Sequence, residues 1–323
     1  AGQRHEPLDK LGLASLTASM LNESTLRSTN EELSDRLQKL GSSVSFGAGN
    51  GEMTLTVRAL TRNLDETLAI AAERLLQPKF DPQDFARAQA QTLQAIEQSK
   101  KQAANTAQVV YQLLLMGQHN PVAHLNIGSA ETVRSITLED VKAFYATRYS
   151  PRIANIIAVT DLPSADLLKS LDALSGWRGD DVADVTLAPF PAQGPTRIYL
   201  IDKPGAASSE IMMGRLALNY DATGEFYRAR LSNYAFGAAF NSRINLNLRE
   251  DKGYSYGARS FFVGQKDYGF FSASAAVRTD ATAASIVEFE KEIRKYVKDG
   301  ITPAELAFTR SAIGQRDARD FET

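Results

Sequence analysis

The residues best suited to chemistry in this sequence lie in one short stretch, residues 248–257, which reads LREDKGYSYG. Arg249 is followed, after a glycine, by Tyr254 and Tyr256, two positions apart. A guanidinium and a phenol both donate hydrogen bonds, so together they could bind an oxygen that carries negative charge. The alternative is that Arg249 pairs with a neighbouring acidic residue and the tyrosines only pack at a helix-to-strand corner. The residues alone leave both interpretations open.

Other residues that serve metal or nucleophilic chemistry are scarce. The sequence has no cysteine, which excludes thiolate zinc sites, cysteine nucleophiles and disulfides. His119 and His124 lie five apart in a loop around Pro121, with no carboxylate at helical spacing, and His5 lies near the start of the sequence. We therefore expect these histidines to form no metal site and to have a structural role or none.

Length and composition predict two domains without a nucleic-acid or membrane footprint. The 323 residues are 43% hydrophobic, which is enough for about two domains. The 36 basic residues are balanced by 38 acidic ones, unlike the basic surface of a nucleic-acid-binding protein. No apolar run reaches the roughly 18 residues of a membrane helix, and no signal peptide is recognisable. Both ends read as truncated, which leaves room for a targeting segment outside this sequence.

The positioning elements follow one plan that occurs twice. In the first copy, a helix with a Ser/Thr start and a glycine stop leads into a hairpin and two further helices. Asp81 caps the last of these helices, with Pro82 and Asp84 in its first turn. The elements of the first copy are a helix at 28–41, strands at 42–49 and 51–60, and helices at 63–78 and 81–98.

The second copy repeats this order after an offset of roughly 210–220 residues, about the size of one large domain. Its last helix has the same kind of start, with Thr302 as cap followed by Pro303 and Glu305. The elements are a helix at 228–253, strands at 254–263 and 267–277, and helices at 282–300 and 302–314.

The remaining segments complete the two domains. The stretch 177–195 contains three prolines and little periodicity, so we interpret it as a linker between a first domain at 1–176 and a second at 196–323. Helices interleaved with antiparallel hairpins predict an α+β fold, in which helices cover one face of each sheet. The additional elements are helices at 106–117, 137–150 and 164–175 and strands at 153–160, 196–204 and 208–218.

Several phrases of the sequence resemble the insulinase/pitrilysin metallopeptidases, the inverted zincins, which include the mitochondrial processing peptidases. The resemblance covers almost the whole chain and implies two homologous domains of the LuxS/MPP-like metallopeptidase fold. The family's opening strand and closing helices are not recognisable in this sequence. The phrases that carry the resemblance are residues 10–28, 77–85, 117–151 and 240–257.

The resemblance places a degenerate zinc motif on the first core helix. Active members carry H-x-x-E-H there, with two histidines that bind zinc and a glutamate that acts as general base. In this chain Ser15 and Ser19 stand at the histidine positions and Ala18 at the glutamate position. Glu97 lies near the place of the third ligand, but a single carboxylate does not hold the metal. We therefore expect no zinc in this chain.

The same resemblance favours a functional role for the opening stretch. In the family, the second domain supplies an arginine and, seven positions later, a tyrosine to the peptide-cleaving site, and Arg249 and Tyr256 match that spacing. The arginine would hold a substrate carbonyl, and the tyrosine would donate to the oxyanion. Strand alternation places Tyr254 on the same face as Tyr256, which makes Tyr254 the second candidate.

The sequence thus predicts a non-catalytic subunit of a heteromeric zinc metallopeptidase. A homologous partner subunit would supply H-x-x-E-H and zinc, in a heterodimer or larger assembly that cleaves peptides. The alternative is a catalytically inactive scaffold or peptide-binding protein, as in the core subunits of a respiratory complex. The resemblance to bacterial two-subunit relatives favours the periplasm, with the cytoplasm as the alternative compartment.

Overall fold

A computed structural model describes residues 1–320 of the chain, with side chains described as far as residue 316. The chain divides into two compact units. The first unit comprises Ala1–Ser99 and Gly117–Pro189, and the second comprises Lys100–Met116 together with the chain from Phe190 onward. Each unit has its own cluster of buried apolar side chains.

The helices follow the predicted order for most of the chain. Thr29 accepts from the N–H of Glu32 in a capping box, and Gly41 ends the same helix at a φ of 59°. The α-helices within residues 1–320 are α1 Leu13–Leu21, α2 Asn30–Leu40, α3 Leu64–Leu76, α4 Pro82–Lys101, α5 Ala103–Met116, α6 Ala130–Ser135, α7 Leu138–Arg148, α8 Ser164–Leu171, α9 Glu225–Asn233, α10 Arg243–Asn245, α11 Thr282–Asp299 and α12 Pro303–Asp320.

The first unit contains an antiparallel hairpin that packs beneath helices. Strand β1 (Ser43–Ala48) pairs with β2 (Met53–Arg58), from Ser43 opposite Arg58 to Ala48 opposite Met53. Alternate residues of β1, Val44 and Phe46, are buried in the core that helix α1 fills from the other side. This helix is therefore held by apolar packing along its length.

The second unit contains a three-stranded antiparallel sheet in the order β3-β5-β4. The strands are β3 (Ser209–Leu216), β4 (Ser255–Gly264) and β5 (Gly269–Val277). Phe289 of α11 and Ile244 of α10 are fully buried against this sheet. Helices and antiparallel strands alternate in both units, as the α+β prediction requires.

Two predicted strands are wrong. Residues 153–160 and 196–204 have an apolar pattern typical of strands, but within residues 1–320 neither segment pairs with a strand. Their apolar side chains are exposed, with Ile157 at 91% and Leu200 at 93%. A strand is defined by a pairing partner, and a local pattern does not supply one.

The unit to which one helix belongs and the continuity of another helix differ from the prediction. Helix α5, assigned to the first domain from sequence, packs along β3 in the second unit, where the Tyr111 hydroxyl donates to the carbonyl of Phe271 at 2.8 Å. The predicted continuous helix at 228–253 is interrupted between α9 and α10. The boundary between the compact units falls after Pro189, inside the predicted linker.

Candidate functional site

The first core helix, α1, begins at a conformation suited to glycine. Gly12 has a φ of 101°, and a Cβ there would lie 2.7 Å from the carbonyl oxygen of Ile127. The Glu6 carboxylate accepts hydrogen bonds from the backbone N–H groups of Gly12 at 3.0 Å and Ala14 at 2.6 Å. Burial raises the pKa of Glu6 to about 7. A buried carboxyl group therefore holds the first turn of the helix.

The three degenerate zinc-motif positions lie on this helix and are engaged within the first unit. The Ser15 hydroxyl donates to the carbonyl of Asn126 at 2.9 Å, and the Ser19 hydroxyl donates to the carbonyl of Ser15 at 3.0 Å. Ala18 is buried in the apolar core. Neutral hydroxyls that already bond to carbonyls do not form the imidazole and carboxylate donor set of a zinc site. The residues present therefore do not fit the zinc ion that the resemblance implies.

The other candidate ligands are not brought together. Glu97 is exposed on α4, and His124 Nε2 lies 2.9 Å from the carbonyl oxygen of Gln118. Burial lowers the pKa of His5 to about 4. Among the residues that the structure describes, no group of three or more histidine or acidic side chains is placed to hold a metal ion.

The candidate arginine lies in a π-helical turn, Leu246–Asp251, that follows α10 directly. Such turns insert an extra residue and often occur at functional sites. Leu248 is buried in the second core and fixes the turn from below. The Arg249 guanidinium lies over the ring of Phe240, 4.6 Å from its centroid, and its Nε is 3.3 Å from Glu250 Oε1. Arg249 is therefore held in place while part of its side chain remains exposed.

The two tyrosines are separated by a β-bulge. The pairing of β4 with β5 shifts between Ser255 and Ala258, and the Ser255 hydroxyl accepts from the N–H of Gly257 at 2.8 Å. Tyr256 lies in this bulge and is 98% exposed, whereas Tyr254 packs against the second core. The expectation that both side chains share one strand face is wrong, because the bulge breaks the alternation.

Phe240 is the participant that the sequence did not reveal. It lies in the break between α9 and α10, nine positions before the arginine whose charge its ring covers. Phe240 is itself 62% exposed. The sequence predicts a continuous helix through Phe240, so no sequence signal pointed to this contact. The exposed groups of this site are thus Phe240, Arg249 and Tyr256.

Comparison with known families identifies the chain. Residues 1–120 match the family described as insulinase, peptidase family M16, and residues 135–313 match the peptidase M16 inactive domain. The chain belongs to the insulinase family, M16. The prediction of this family from the sequence phrases is confirmed.

Individual relatives of this M16 chain are distant. A protein of Helicobacter pylori named non-peptidase homolog YmxG is 21% identical over 300 residues, which cover 92% of this chain and 68% of the relative. An uncharacterized zinc protease of Rickettsia felis is 21% identical over 297 residues, covering 91% and 70% of the two chains. The names of these relatives thus include both a peptidase and a non-peptidase.

Solved structures agree on the fold. The peptidase M16 inactive domain from Pseudomonas fluorescens has a TM-score of 0.90 and 25% identity, covering 98% of this chain and 77% of that one. A protease from Helicobacter pylori also has a TM-score of 0.90, with 19% identity, covering 100% of this chain and 79% of that one. The predicted α+β fold of the metallopeptidase family is therefore confirmed. Within residues 1–320, none of the helices is long and apolar enough to cross a membrane.

Proposed function

We propose that this chain is the non-catalytic subunit of a heteromeric zinc peptidase. The observation that carries the proposal is a contrast between two sets of side chains. Ser15, Ala18 and Ser19 are used in internal bonds and packing, whereas Arg249 and Tyr256 present donors to solvent. A homologous partner subunit supplies H-x-x-E-H, the zinc ion and the base, and this chain holds no zinc.

Each exposed group has a chemical task in this proposal. The Arg249 guanidinium is permanently charged and donates to a carbonyl oxygen of the bound peptide. The Tyr256 hydroxyl donates to the oxyanion that forms when water attacks the peptide bond. Stacking on Phe240 limits the movement of the guanidinium, so less ordering is required when the peptide binds. Tyr254 is the weaker candidate because its ring packs against the core.

The test is reconstitution with the zinc-bearing subunit. The tagged chain is used to capture a subunit with H-x-x-E-H from its host, and the two are then co-expressed and assayed on internally quenched fluorescent peptides. Tyr256→Phe should lower kcat by about tenfold to a thousandfold, and Arg249→Ala should also lower cleavage. Tyr227→Phe, at an exposed tyrosine of α9, is the control, and Tyr254→Phe tests the second candidate. Unchanged cleavage in both Arg249→Ala and Tyr256→Phe would overturn the proposal.

A second candidate function is a scaffold or peptide-binding protein without a role in cleavage. The observation that favours it is the contact between Arg249 and Glu250, since a paired and stacked guanidinium can serve structure alone. This function predicts a chain that assembles or binds peptides without a zinc-bearing partner. Metal analysis of the chain alone, for which we expect no zinc, separates both candidates from an independently active peptidase.

The bacterial periplasm is the proposed compartment, and the cytoplasm is the alternative. The support is structural likeness to a periplasmic protease, PqqL from Escherichia coli, with a TM-score of 0.74 and 18% identity, covering 97% of this chain and 36% of that one. Fractionation of the host with an antibody to this chain tests it. Recovery with cytoplasmic markers alone would overturn the periplasmic assignment.

A further inference from the structure

A buried amide connects the two backbone segments that carry the candidate site in the second compact unit. Asn245 is 4% exposed and lies at the end of α10. Its Nδ2 donates to the carbonyl of Phe240 at 2.7 Å, and its Oδ1 accepts from the N–H of Ala258 at 3.0 Å. A carbonyl can only accept and a backbone N–H can only donate, so the two partners fix the orientation of the amide.

Each partner of Asn245 leads to one of the candidate residues. Phe240 carries the ring on which the Arg249 guanidinium rests. Ala258 is the residue at which β4 resumes its pairing with β5, directly after the bulge that holds Tyr256. The Asn245 side chain therefore links Phe240, on which Arg249 stacks, to Ala258, which follows the bulge that contains Tyr256.

We propose that Asn245 is a positioning residue that sets the geometry of Arg249 and Tyr256 relative to each other. The inference rests on the proposed function, in which these two groups act on one peptide bond. Asn245 touches no substrate and acts only through the backbone of Phe240 and Ala258. Displacement of a reacting group by a distance of about 1 Å can cost a hundredfold in rate, so such a tie matters for catalysis.

The chain offers a matched control in Asn233. It is 5% exposed and also binds β4, donating to the carbonyl of Ser260 at 2.8 Å and accepting from the Ser260 hydroxyl at 2.6 Å. Its bonds reach the same strand two residues beyond Ala258, and neither of them reaches Phe240 or the bulge. Replacing either asparagine by alanine removes two side-chain hydrogen bonds. Only the replacement of Asn245 removes bonds to the segments that carry the candidate site.

The first experiment measures hydrogen exchange on the full chain and needs no partner. Asn245→Ala should speed exchange of the segment 255–258 by about tenfold or more, because the buried N–H of Ala258 loses its acceptor. Asn233→Ala should leave that segment close to its original rate. Unchanged exchange at 255–258 in Asn245→Ala, or an equal increase in Asn233→Ala, would show that Asn245 does not hold this segment in place.

The second experiment measures cleavage of internally quenched peptides by equal amounts of folded, reconstituted complex. Asn245→Ala should lower kcat by about ten- to a hundredfold with little change in KM, since it disturbs groups that act in the transition state. In a background of Arg249→Ala with Tyr256→Phe, the same substitution should cause no further loss. A purely structural role would not produce this non-additivity.

The outcomes separate the two proposals. If Arg249→Ala and Tyr256→Phe leave cleavage unchanged, the proposed function fails, and the exchange experiment alone decides whether Asn245 ties the segments. If those substitutions lower kcat but Asn245→Ala does not, the proposed function stands and the positioning role is overturned. A further loss from Asn245→Ala in the doubly substituted background would also overturn it.

Discussion

The polar side chains of helix α1 in the first unit bond internally, whereas those of the segment 240–258 in the second unit remain partly exposed. On α1, the hydroxyls of Ser15 and Ser19 donate to backbone carbonyls inside the unit. In the segment 240–258, the most exposed aromatic is Tyr256, and Arg249 is stacked on Phe240 and only partly covered. Helix α1, which lacks H-x-x-E-H, is a packing element. The other segment keeps donors that are available to a ligand.

Both regions nevertheless include a leucine that is buried in a core. Leu16 of α1 and Leu248 of the π-helical turn are almost completely inaccessible to solvent. Each belongs to the apolar cluster of its own unit. We therefore expect Leu16 and Leu248 to contribute equally to stability, and only Leu248 to affect the candidate site.

The largest expected effect comes from Leu16→Ala and Leu248→Ala. Each should lower the free energy of unfolding by about 2–5 kcal/mol, because each leaves a cavity in a packed core. Chemical denaturation measures the loss. Only Leu248→Ala should also speed hydrogen exchange around Tyr256, since Leu248 lies beneath the turn that precedes β4. A loss below about 1 kcal/mol in either variant would show that its region is not held by core packing.

Ala18→Glu tests whether α1 is a packing element. Ala18 is 2% exposed, so the new carboxylate would be buried without a partner, and we expect a loss of about 3 kcal/mol or more near neutral pH. Burial would raise the pKa of this glutamate, so the loss should shrink as pH falls and the carboxyl is protonated. Ser19→Glu, at a half-buried position of the same helix, should cost less. Wild-type stability in Ala18→Glu would contradict this account.

Local signals made much of the fold predictable. Thr302 caps α12 as predicted and forms a capping box with Glu305. Thr137 and Asp140 form a capping box at the start of α7, whose helix was also predicted. These boxes involve residues three positions apart, so the sequence contains all of the information that they need. The hairpin β1–β2 was predictable for a similar reason, since its strands flank one short turn.

Features that depend on distant partners were not predictable from local patterns. The segments 153–160 and 196–204 have a strand pattern, but pairing depends on another part of the chain. The bulge that separates Tyr254 from Tyr256 depends on the register with β5. The contact of Phe240 with Arg249 crosses a helix break. Only the seven-residue spacing of Arg249 and Tyr256, read through the family resemblance, led to the candidate site.

The smallest expected effect concerns the start of α1 and its dependence on pH. Burial raises the pKa of Glu6 from its ordinary value of 4.5 to about 7. Between these values the folded chain binds more protons than the unfolded chain, so the stabilising contribution is complete below about pH 4.5 and is lost as pH rises towards 7. Glu6→Gln should remove this slope.

Glu6→Gln should also lower the free energy of unfolding by about 1–3 kcal/mol near pH 5, because one amide N–H₂ would face the backbone donor of Gly12 or Ala14. The difference from wild type should narrow as pH rises to 8. Glu305→Gln is the matched control, since Arg243 and Thr302 lower the pKa of Glu305 to about 2. Its contribution is complete above about pH 4.5 and is lost only as pH falls towards 2, so its effect should stay constant between pH 5 and 8. Denaturation series over this range measure both variants. The lowered pKa of His5, from 6.5 to about 4, makes stability rise with pH up to about 6.5, so the test for Glu6 is the sign of the slope. A fall in stability with rising pH that persists in Glu6→Gln would assign that fall to another group.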